Sequence, residues 1–110
     1  MSDQMISIDE FKKVELKVGY VEDVEEIKGS KKLYKLKVNF GEETRQIVSG
    51  IKEHYKIEEI KGKQFVFVTN LEPAKLMSEI SEGMILAAVD DETLSLISPE
   101  RKVKNGTKLS

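Results

Sequence analysis

Apolar and polar residues alternate along several stretches of this chain. This period of two is the sequence feature that most restricts which folds the chain can adopt. The clearest example runs through Tyr34, Lys35, Leu36, Lys37, Val38, Asn39 and Phe40. Successive side chains of a strand point to opposite faces, so the pattern predicts a strand with one buried face and one basic outer face. A turn at residues 41–43 leads into residues 44–49, which we expect to be the hairpin partner of this strand.

An earlier stretch, residues 14–20, shows the same alternation, but its phase slips after residue 20. A long strand with a bulge or bend near Gly19 accounts for the slip. Before it, Ser7 and Glu10 have the spacing of a capping box, which predicts a short helical turn.

The second half of the chain changes period. Residues 51–61 are typical of a short helix, which Gly62 ends. The continuous apolar runs 65–68 and 84–89 predict two further strands, the first buried on both faces, and residues 93–97 predict a last one.

The resulting order is three strands, a short helix and two strands with additions. This is the plan of the OB-fold, an all-β, five-stranded Greek-key barrel with a short helix between strands 3 and 4, here with terminal extensions. An SH3-like barrel has a similar pattern apart from the helix. A length of 110 residues predicts one domain, residues 1–110, with a core at about 11–90 and a C-terminal extension at 91–110.

The net charge of −2 argues against a generic basic nucleic-acid binder, but the charges are unevenly distributed. Residues 28–41 hold five lysines and no acids, and residues 101–110 hold four basic residues and no acids. Such segregation can place a local positive face on an acidic protein. The alternative is that these residues are simply solvated edges of the fold.

No catalytic constellation stands out, so we expect neither an enzyme nor a bound cofactor or metal ion. The only histidine, His54, lies among charged residues, and the chain has no cysteine. Metal sites and catalytic triads need partners that the sequence does not offer. No apolar run is long enough to span a membrane, and residues 1–11 are too acidic for a secretory signal, so we expect a cytoplasmic protein.

Two polar islands interrupt the strands, at residues 45–50 and 69–84. Arg45 begins a predicted central strand, Asn70 ends an apolar one, and Gly83 suits a tight turn. Each has a local structural explanation as well as a binding one, and for Arg45 we favour binding.

With these islands the chain resembles a known family, the tRNA-binding domain of bacterial methionyl-tRNA synthetases, of stand-alone tRNA-binding proteins and of eukaryotic synthetase cofactors. The family's motifs occur in order from about residue 11 to 108. They are residues 11–19, 32–34, 45–50, Tyr55, 70–77, 81–84, Pro99 and 105–108. Ser30-Lys31 stands where the family often has Ala-Asp, and Ser78 where it often has glycine.

The resemblance implies an OB barrel that recognises tRNA by shape, largely independently of base identity. On the motif-matched positions, the residues implied to bind tRNA are Lys32, Arg45, Ser49, Asn70, Ser81 and Met84. To these we add Lys35 and Lys37, from the basic outer face of the second strand. Lysine and arginine would neutralise phosphates, while serine and asparagine would hydrogen-bond the RNA.

The resemblance also implies a separate subunit or free-standing protein, because the catalytic half of a synthetase is missing. Its expected partners are tRNA, a second copy of itself and the catalytic chain of methionyl-tRNA synthetase. Residues 5–11 and the segment after Val89 are the candidate dimer elements.

Two other functions fit an OB barrel. A peptide-binding chaperone would use an exposed apolar groove, and the match at residues 45–50 speaks against it. A general single-strand binder would stack bases on aromatic residues, which make up only 6% of this chain.

Overall fold

The computed structural model describes residues 4–110. Residues 1–11 are the segment that the sequence predicts not to be a secretory signal, and the first three of them lie outside the described residues. In chain order the elements are α1 (Ile8–Phe11), β1 (Leu16–Glu26), β2 (Tyr34–Asn39), β3 (Thr44–Ser49), α2 (Ile57–Ile60), β4 (Gln64–Val68), β5 (Ala74–Leu76), β6 (Glu79–Ser81), β7 (Met84–Ile85), β8 (Ala87–Val89) and β9 (Leu94–Leu96). Five strands form one antiparallel sheet in the order β3-β2-β1-β4-β7. The sheet curls into a half-barrel with α2 between its third and fourth strands, which confirms the predicted OB-like fold.

Strand β1 is the central strand of the sheet, and it pairs with a different neighbour along each half. Its first half pairs with β4 and its second half with β2, and Tyr20 lies opposite both Gln64 and Asn39. A long strand shared in this way lets a small sheet curl around its own core.

The predicted long strand with a bulge is present in β1, but the bulge lies at Glu22, between Val21 and Asp23, rather than at Gly19. Glycine is needed at position 19 for another reason. A Cβ there would lie 2.5 Å from Val38 Cγ1 and 2.7 Å from Phe40 Cε1, so the core packs directly on the backbone.

The core fills the inside of the curled sheet. Phe67, from β4, is completely buried and meets Phe40 edge to face, with ring centroids 5.4 Å apart. From α2, Ile60 is also fully buried and packs into the same cluster. The inward residues of β2 are buried as the alternation predicted, and the helical turn α1 has the predicted capping box of Ser7 and Glu10.

The predicted strand at residues 84–89 is two strands in the structure. The chain changes partner at Leu86, whose N–H donates to Val66 O at 3.0 Å and whose carbonyl accepts from Ile97 N–H at 3.1 Å. As a result β7 pairs with β4, while β8 pairs with β9 in a separate hairpin. A single apolar run cannot reveal such a change of partner.

The C-terminal residues lie beside the first half of β1. Gly106 N–H donates to Val18 O at 2.7 Å, and Leu109 N–H donates to Leu16 O at 2.9 Å. This continues the sheet on the side where β2 has ended. Within residues 4–110, no helix has the length and apolar character that crossing a membrane requires.

Candidate functional site

The connection between β4 and β7, residues 69–83, covers the free edge of β3. Ser81 Oγ accepts a hydrogen bond from Val48 N–H at 2.9 Å, and Ser81 is only 3% exposed. Glu82 N–H donates to Gln46 O at 2.8 Å, and Glu82 Oε1 accepts from Gln46 N–H at 3.0 Å. Side chains and loop backbone thus join β3 to the chain that enters β7, at the place where the sheet itself is open.

Arg45, at the start of β3, strengthens this closure. Its Nη1 donates to Thr69 O and, at 3.2 Å, to Glu82 O. Nε and Nη2 donate to the two carboxylate oxygens of Glu43 at 3.1 and 3.0 Å, and the guanidinium lies over the Phe40 ring, 5.9 Å from its centroid. These hydrogen bonds lower the pKa of Glu43 and raise the pKa of Arg45. The guanidinium is therefore occupied by contacts within the chain.

Asn70 clamps the end of β4 to the chain just before β1. Its Nδ2 donates to Lys13 O at 2.5 Å, and its Oδ1 accepts from Glu15 N–H at 2.8 Å. Beside it, Thr69 Oγ1 donates to Glu15 Oε1 at 2.6 Å, which lowers the pKa of that carboxyl group. The amide therefore makes long-range bonds rather than the local turn that its position at a strand end predicted.

Lys35 and Lys37 lie on the outer face of β2 as predicted, but acidic side chains compensate their charges. Lys35 Nζ lies 3.4 Å from Glu25 Oε1 and 3.6 Å from Glu79 Oε2. Lys37 Nζ lies 3.9 Å from Glu22 Oε1. The prediction of a basic outer face was wrong in this respect, because carboxylates of β1 and β6 surround the two lysines.

The loop between β1 and β2, residues 27–33, is held in one shape by its own hydrogen bonds. Ser30 Oγ accepts from the N–H groups of Lys32 and Leu33 at 3.3 and 3.0 Å. From outside the loop, Lys52 Nζ donates to Ser30 O at 3.1 Å. A loop fixed in this way displays its remaining side chains to solvent without first having to be ordered.

Three lysines of this loop are exposed and have no carboxylate partner among residues 4–110. They are Lys28, Lys31 and Lys32. Most lysines on the strand faces are paired, so this loop concentrates uncompensated positive charge. An anionic ligand gains most from such lysines, since no internal ion pair has to be broken.

The hairpin of β5 and β6 brings exposed apolar residues to the same loop. Its turn lies at Met77 and Ser78, and the Met77 methyl lies 3.8 Å from the position of a Cβ on Gly29. Lys75, in β5, is exposed and unpaired within the described chain. The large hydrophobic side chains exposed within residues 71–80 are Leu71, Leu76, Met77 and Ile80. We call residues 27–33 with residues 74–81 the loop–hairpin surface.

The eight residues expected to bind RNA do not form one cluster. Lys32 lies on the loop–hairpin surface, and the buried Ser81 lies at its base. Ser49 is half-buried at the end of β3, and Met84 is 46% exposed in β7. Their contacts with RNA stay a prediction. The other four residues have the intrachain partners described above; they are Lys35, Lys37, Arg45 and Asn70.

Sequence reasoning did not select four exposed residues of this surface: Lys28, Lys31, Lys75 and Met77. Two of them belong to the basic stretch at residues 28–41, and the other two to the motif at residues 70–77. For the three lysines the missing information was that they are unpaired, which depends on the carboxylates that the fold places nearby, and for Met77 it was exposure beside the β1–β2 loop.

Residues 4–110 contain no group of three or more histidine, cysteine, aspartate or glutamate side chains placed to hold a metal ion. His54 is exposed. The loop–hairpin surface can offer charge, hydrogen bonding and apolar contact, which is the chemistry of binding.

Replacing Ser78 by glycine is expected to stabilise the protein by about 0.5 kcal/mol, as measured by urea unfolding. Ser78 has φ of 72°, in the left-handed region that disfavours residues with a Cβ. Glycine removes that strain, and its greater freedom in the unfolded chain offsets part of the gain. Ser95→Gly, in the extended strand β9, is the matched control and should destabilise. A loss of stability in Ser78→Gly would contradict the strained turn.

A family model described as "Putative tRNA binding domain" matches residues 16–108. The methionine–tRNA ligase of Methanococcus vannielii is 48% identical over 106 residues, which are 96% of this chain and 16% of the ligase. The chain thus spans about a sixth of the length of the curated relatives that it matches.

Solved structures show the same fold at full length. The MetRS-related protein of Pyrococcus horikoshii is 41% identical with a TM-score of 0.92, covering 97% of this chain and 99% of its own. The chaperone CsaA of Bacillus anthracis is 29% identical with a TM-score of 0.86, covering 97% of this chain and 100% of its own. The match extends over α1, the barrel and the C-terminal residues alike.

Proposed function

The chain belongs to the tRNA-binding domain family, and from this membership and the site geometry we propose that it binds folded tRNA and catalyses no reaction. The observation that carries the proposal is the loop–hairpin surface, where unpaired lysines lie beside exposed apolar side chains. The loops between the first two and last two strands of an OB barrel are a common place for nucleic-acid binding. In this chain, residues 27–33 join the first two strands of the five-stranded sheet, and residues 74–81 lie in the connection between its last two strands.

In the proposed complex the lysines contact the phosphate backbone. Lys28, Lys31 and Lys32 supply three charges from one rigid loop, and Lys75 adds a fourth from the hairpin. Exposed bases of the tRNA would pack on the apolar hairpin side chains, among them Met77. Contacts of this kind read the shape of an RNA and its unstacked bases more than its sequence.

We further propose that Arg45, Asn70 and Ser81 act by holding the β4–β7 connection in place. Their polar atoms bond to backbone and side-chain groups of the same chain, as described above. Ser49 and Met84 lie outside the loop–hairpin surface and would make secondary contacts. Lys35 and Lys37 would contribute only where RNA displaces their carboxylate partners.

A homodimer is also proposed, through α1 and the chain end beside it. Ile8, Phe11 and Val14 are exposed and line a mostly apolar cavity with Leu109. Covering such a patch with a second copy would remove apolar area from water. Phe11→Asp should shift the protein from dimer to monomer in light scattering at micromolar concentration. A wild-type protein that is itself monomeric would remove the proposal.

From the relatives we also propose where the protein acts in the cell and with which partner. We propose that the protein works in the cytoplasm as a subunit or trans-acting cofactor of a methionyl-tRNA synthetase, because the ligases it matches carry this domain within a longer chain. Binding tRNA beside a catalytic chain would raise the effective concentration of the substrate there.

Peptide binding is the second candidate function. Two observations favour it: the exposed apolar side chains of the hairpin, and the similarity to a protein described as a chaperone. The lysines argue for RNA, since an apolar peptide gains nothing from a run of unpaired positive charges.

One experiment separates the two functions. Affinity should be measured for unfractionated tRNA, single-stranded RNA, duplex RNA and an unfolded polypeptide over a range of salt concentrations. The proposal predicts the highest affinity for folded tRNA and a linear fall of log K with log salt. Equal affinity for the three RNAs, or a preference for the polypeptide, would contradict it.

A further inference from the structure

The second basic stretch of the sequence, residues 101–110, has no part in the loop–hairpin surface. In the structure it folds back on the barrel near the start of β4. The amide of Gln64 holds it there, with Nε2 donating to Val103 O at 2.6 Å and Oε1 accepting from Val103 N–H at 3.2 Å. Gln64 Nε2 also donates to Asn105 Oδ1 at 2.9 Å. The chain beside Val103 is therefore fixed at a definite place on the barrel.

An open groove of about 460 Å³ lies between this segment and the barrel. Tyr20 and Phe65 contribute to it from the β1–β4 pair, and Pro99 contributes from the other side. This volume lies within the range of about 300–1,000 Å³ that is typical of small-molecule sites. It is large enough for one nucleotide.

Two lysines line the groove, one from each side. Lys63 precedes β4, and Lys102 belongs to the C-terminal segment. Both are exposed, and neither pairs with a carboxylate within the described residues. The acid nearest to Lys102 along the sequence is Glu100. Its carboxylate lies 3.7 Å from Arg101 Nε, and its side chain is 91% exposed. Positive charge on both sides of an aromatic-lined groove favours an anionic, ring-containing ligand.

We propose that this groove is a second RNA subsite, which takes one unpaired nucleotide of the tRNA bound at the loop–hairpin surface. This inference rests on the proposed function. Lys63 and Lys102 contact the two phosphates that flank the nucleotide, and its base packs against Tyr20 and Pro99. Aromatic surfaces combined with lysines bind single-stranded nucleotides with little sequence preference.

The test compares the double variant Lys63→Gln/Lys102→Gln with wild type and with the control Lys13→Gln/Lys56→Gln. The control removes two exposed, unpaired lysines that line neither the groove nor the loop–hairpin surface. All four positions are exposed, so both variants are expected to fold, which circular dichroism would check. Each phosphate contact adds about 0.7 to 0.9 to the salt slope of log K, so the groove variant should bind tRNA about 10-fold more weakly with a flatter slope.

Chemical footprinting of the tRNA supplies an independent readout. The groove variant should lose protection at a short set of nucleotides that a variant of the loop lysines still protects. An affinity equal to that of wild type, or a loss equal to that of the control, would overturn the second subsite. A wild-type protein without preference for tRNA would overturn the proposed function itself, so the two failures are distinguishable.

Discussion

The triple variant Lys28→Gln/Lys31→Gln/Lys32→Gln is expected to bind tRNA on the order of 100-fold more weakly than wild type at about 0.15 M salt. The three side chains are exposed, and no ion pair within the described chain competes for their charges. Three lost phosphate contacts should lower the slope of log K against log salt by about 2. Nitrocellulose filter binding or fluorescence anisotropy with labelled tRNA measures both quantities.

The matched control is Lys13→Gln/Lys56→Gln/Lys104→Gln, which removes the same net charge from exposed lysines that line neither the loop–hairpin surface, the C-terminal groove nor the apolar cavity at α1. Long-range attraction alone would make the two triple variants equal. If the loop lysines contact the RNA directly, the loop variant must lose at least ten times more affinity than the control. Glutamine removes the charge and leaves a shorter polar side chain at an exposed position, and thermal unfolding should show equal stability for all three proteins.

Arg45→Ala is expected to lower the free energy of unfolding by about 2 to 3 kcal/mol. The substitution removes charged hydrogen bonds to Thr69 O and Glu82 O and to the carboxylate of Glu43. The two carbonyl oxygens would lose their donor at a partly buried position, and the β4–β7 connection would lose one of its attachments to β3. Urea unfolding followed by circular dichroism measures the change.

The control for this variant is Arg101→Ala. Its side chain is 89% exposed and lies 3.7 Å from Glu100 Oε1, so its removal should change stability by less than about 0.5 kcal/mol. Under conditions where it remains folded, Arg45→Ala should lose far less affinity for tRNA than the triple lysine variant, because Arg45 acts only by holding the β4–β7 connection in place. Wild-type stability combined with a clear loss of affinity would show that Arg45 contacts RNA directly, as the sequence alone led us to expect.

A fall in pH should weaken the contact between Arg45 and Glu43. The hydrogen bonds from Arg45 hold the pKa of Glu43 below its ordinary value of 4.5. A carboxyl group whose pKa is lower in the folded state contributes stability that is fully present above its unfolded pKa and is lost as the pH falls through the folded one. The contribution of this pair should therefore begin to fall as the pH drops below 4.5 and be lost once the pH is below the folded pKa of Glu43, which urea unfolding at a series of pH values measures.

The strands of the barrel could be predicted because burial leaves a periodic signal. In β2 every second residue is buried, and the predicted span agrees with the structure to within a residue. The hairpin of β5 and β6 leaves no such signal. All three residues of β5 are exposed, so no buried face marks it as a strand.

The candidate site was less predictable because its parts come from distant stretches of the chain. The carbonyl oxygens that Arg45 binds across the barrel lie 24 and 37 residues away, so its role in closing the barrel has no local signature. The compensation of Lys35 depends on register, since Glu25 lies opposite it in the β1–β2 pair. The sequence shows how many lysines there are, whereas the fold decides which of them remain unpaired.

The most direct test of the central claim maps the surface that tRNA covers. An ¹⁵N-labelled sample should be titrated with unfractionated tRNA, and the amide signals followed in transverse-relaxation-optimised spectra. We expect the signals of residues 27–33 and 74–81 to shift or broaden first, while those of the turn at residues 90–93, outside the loop–hairpin surface, stay unchanged. Changes confined to α1 and the chain end, with residues 27–33 unaffected, would contradict it.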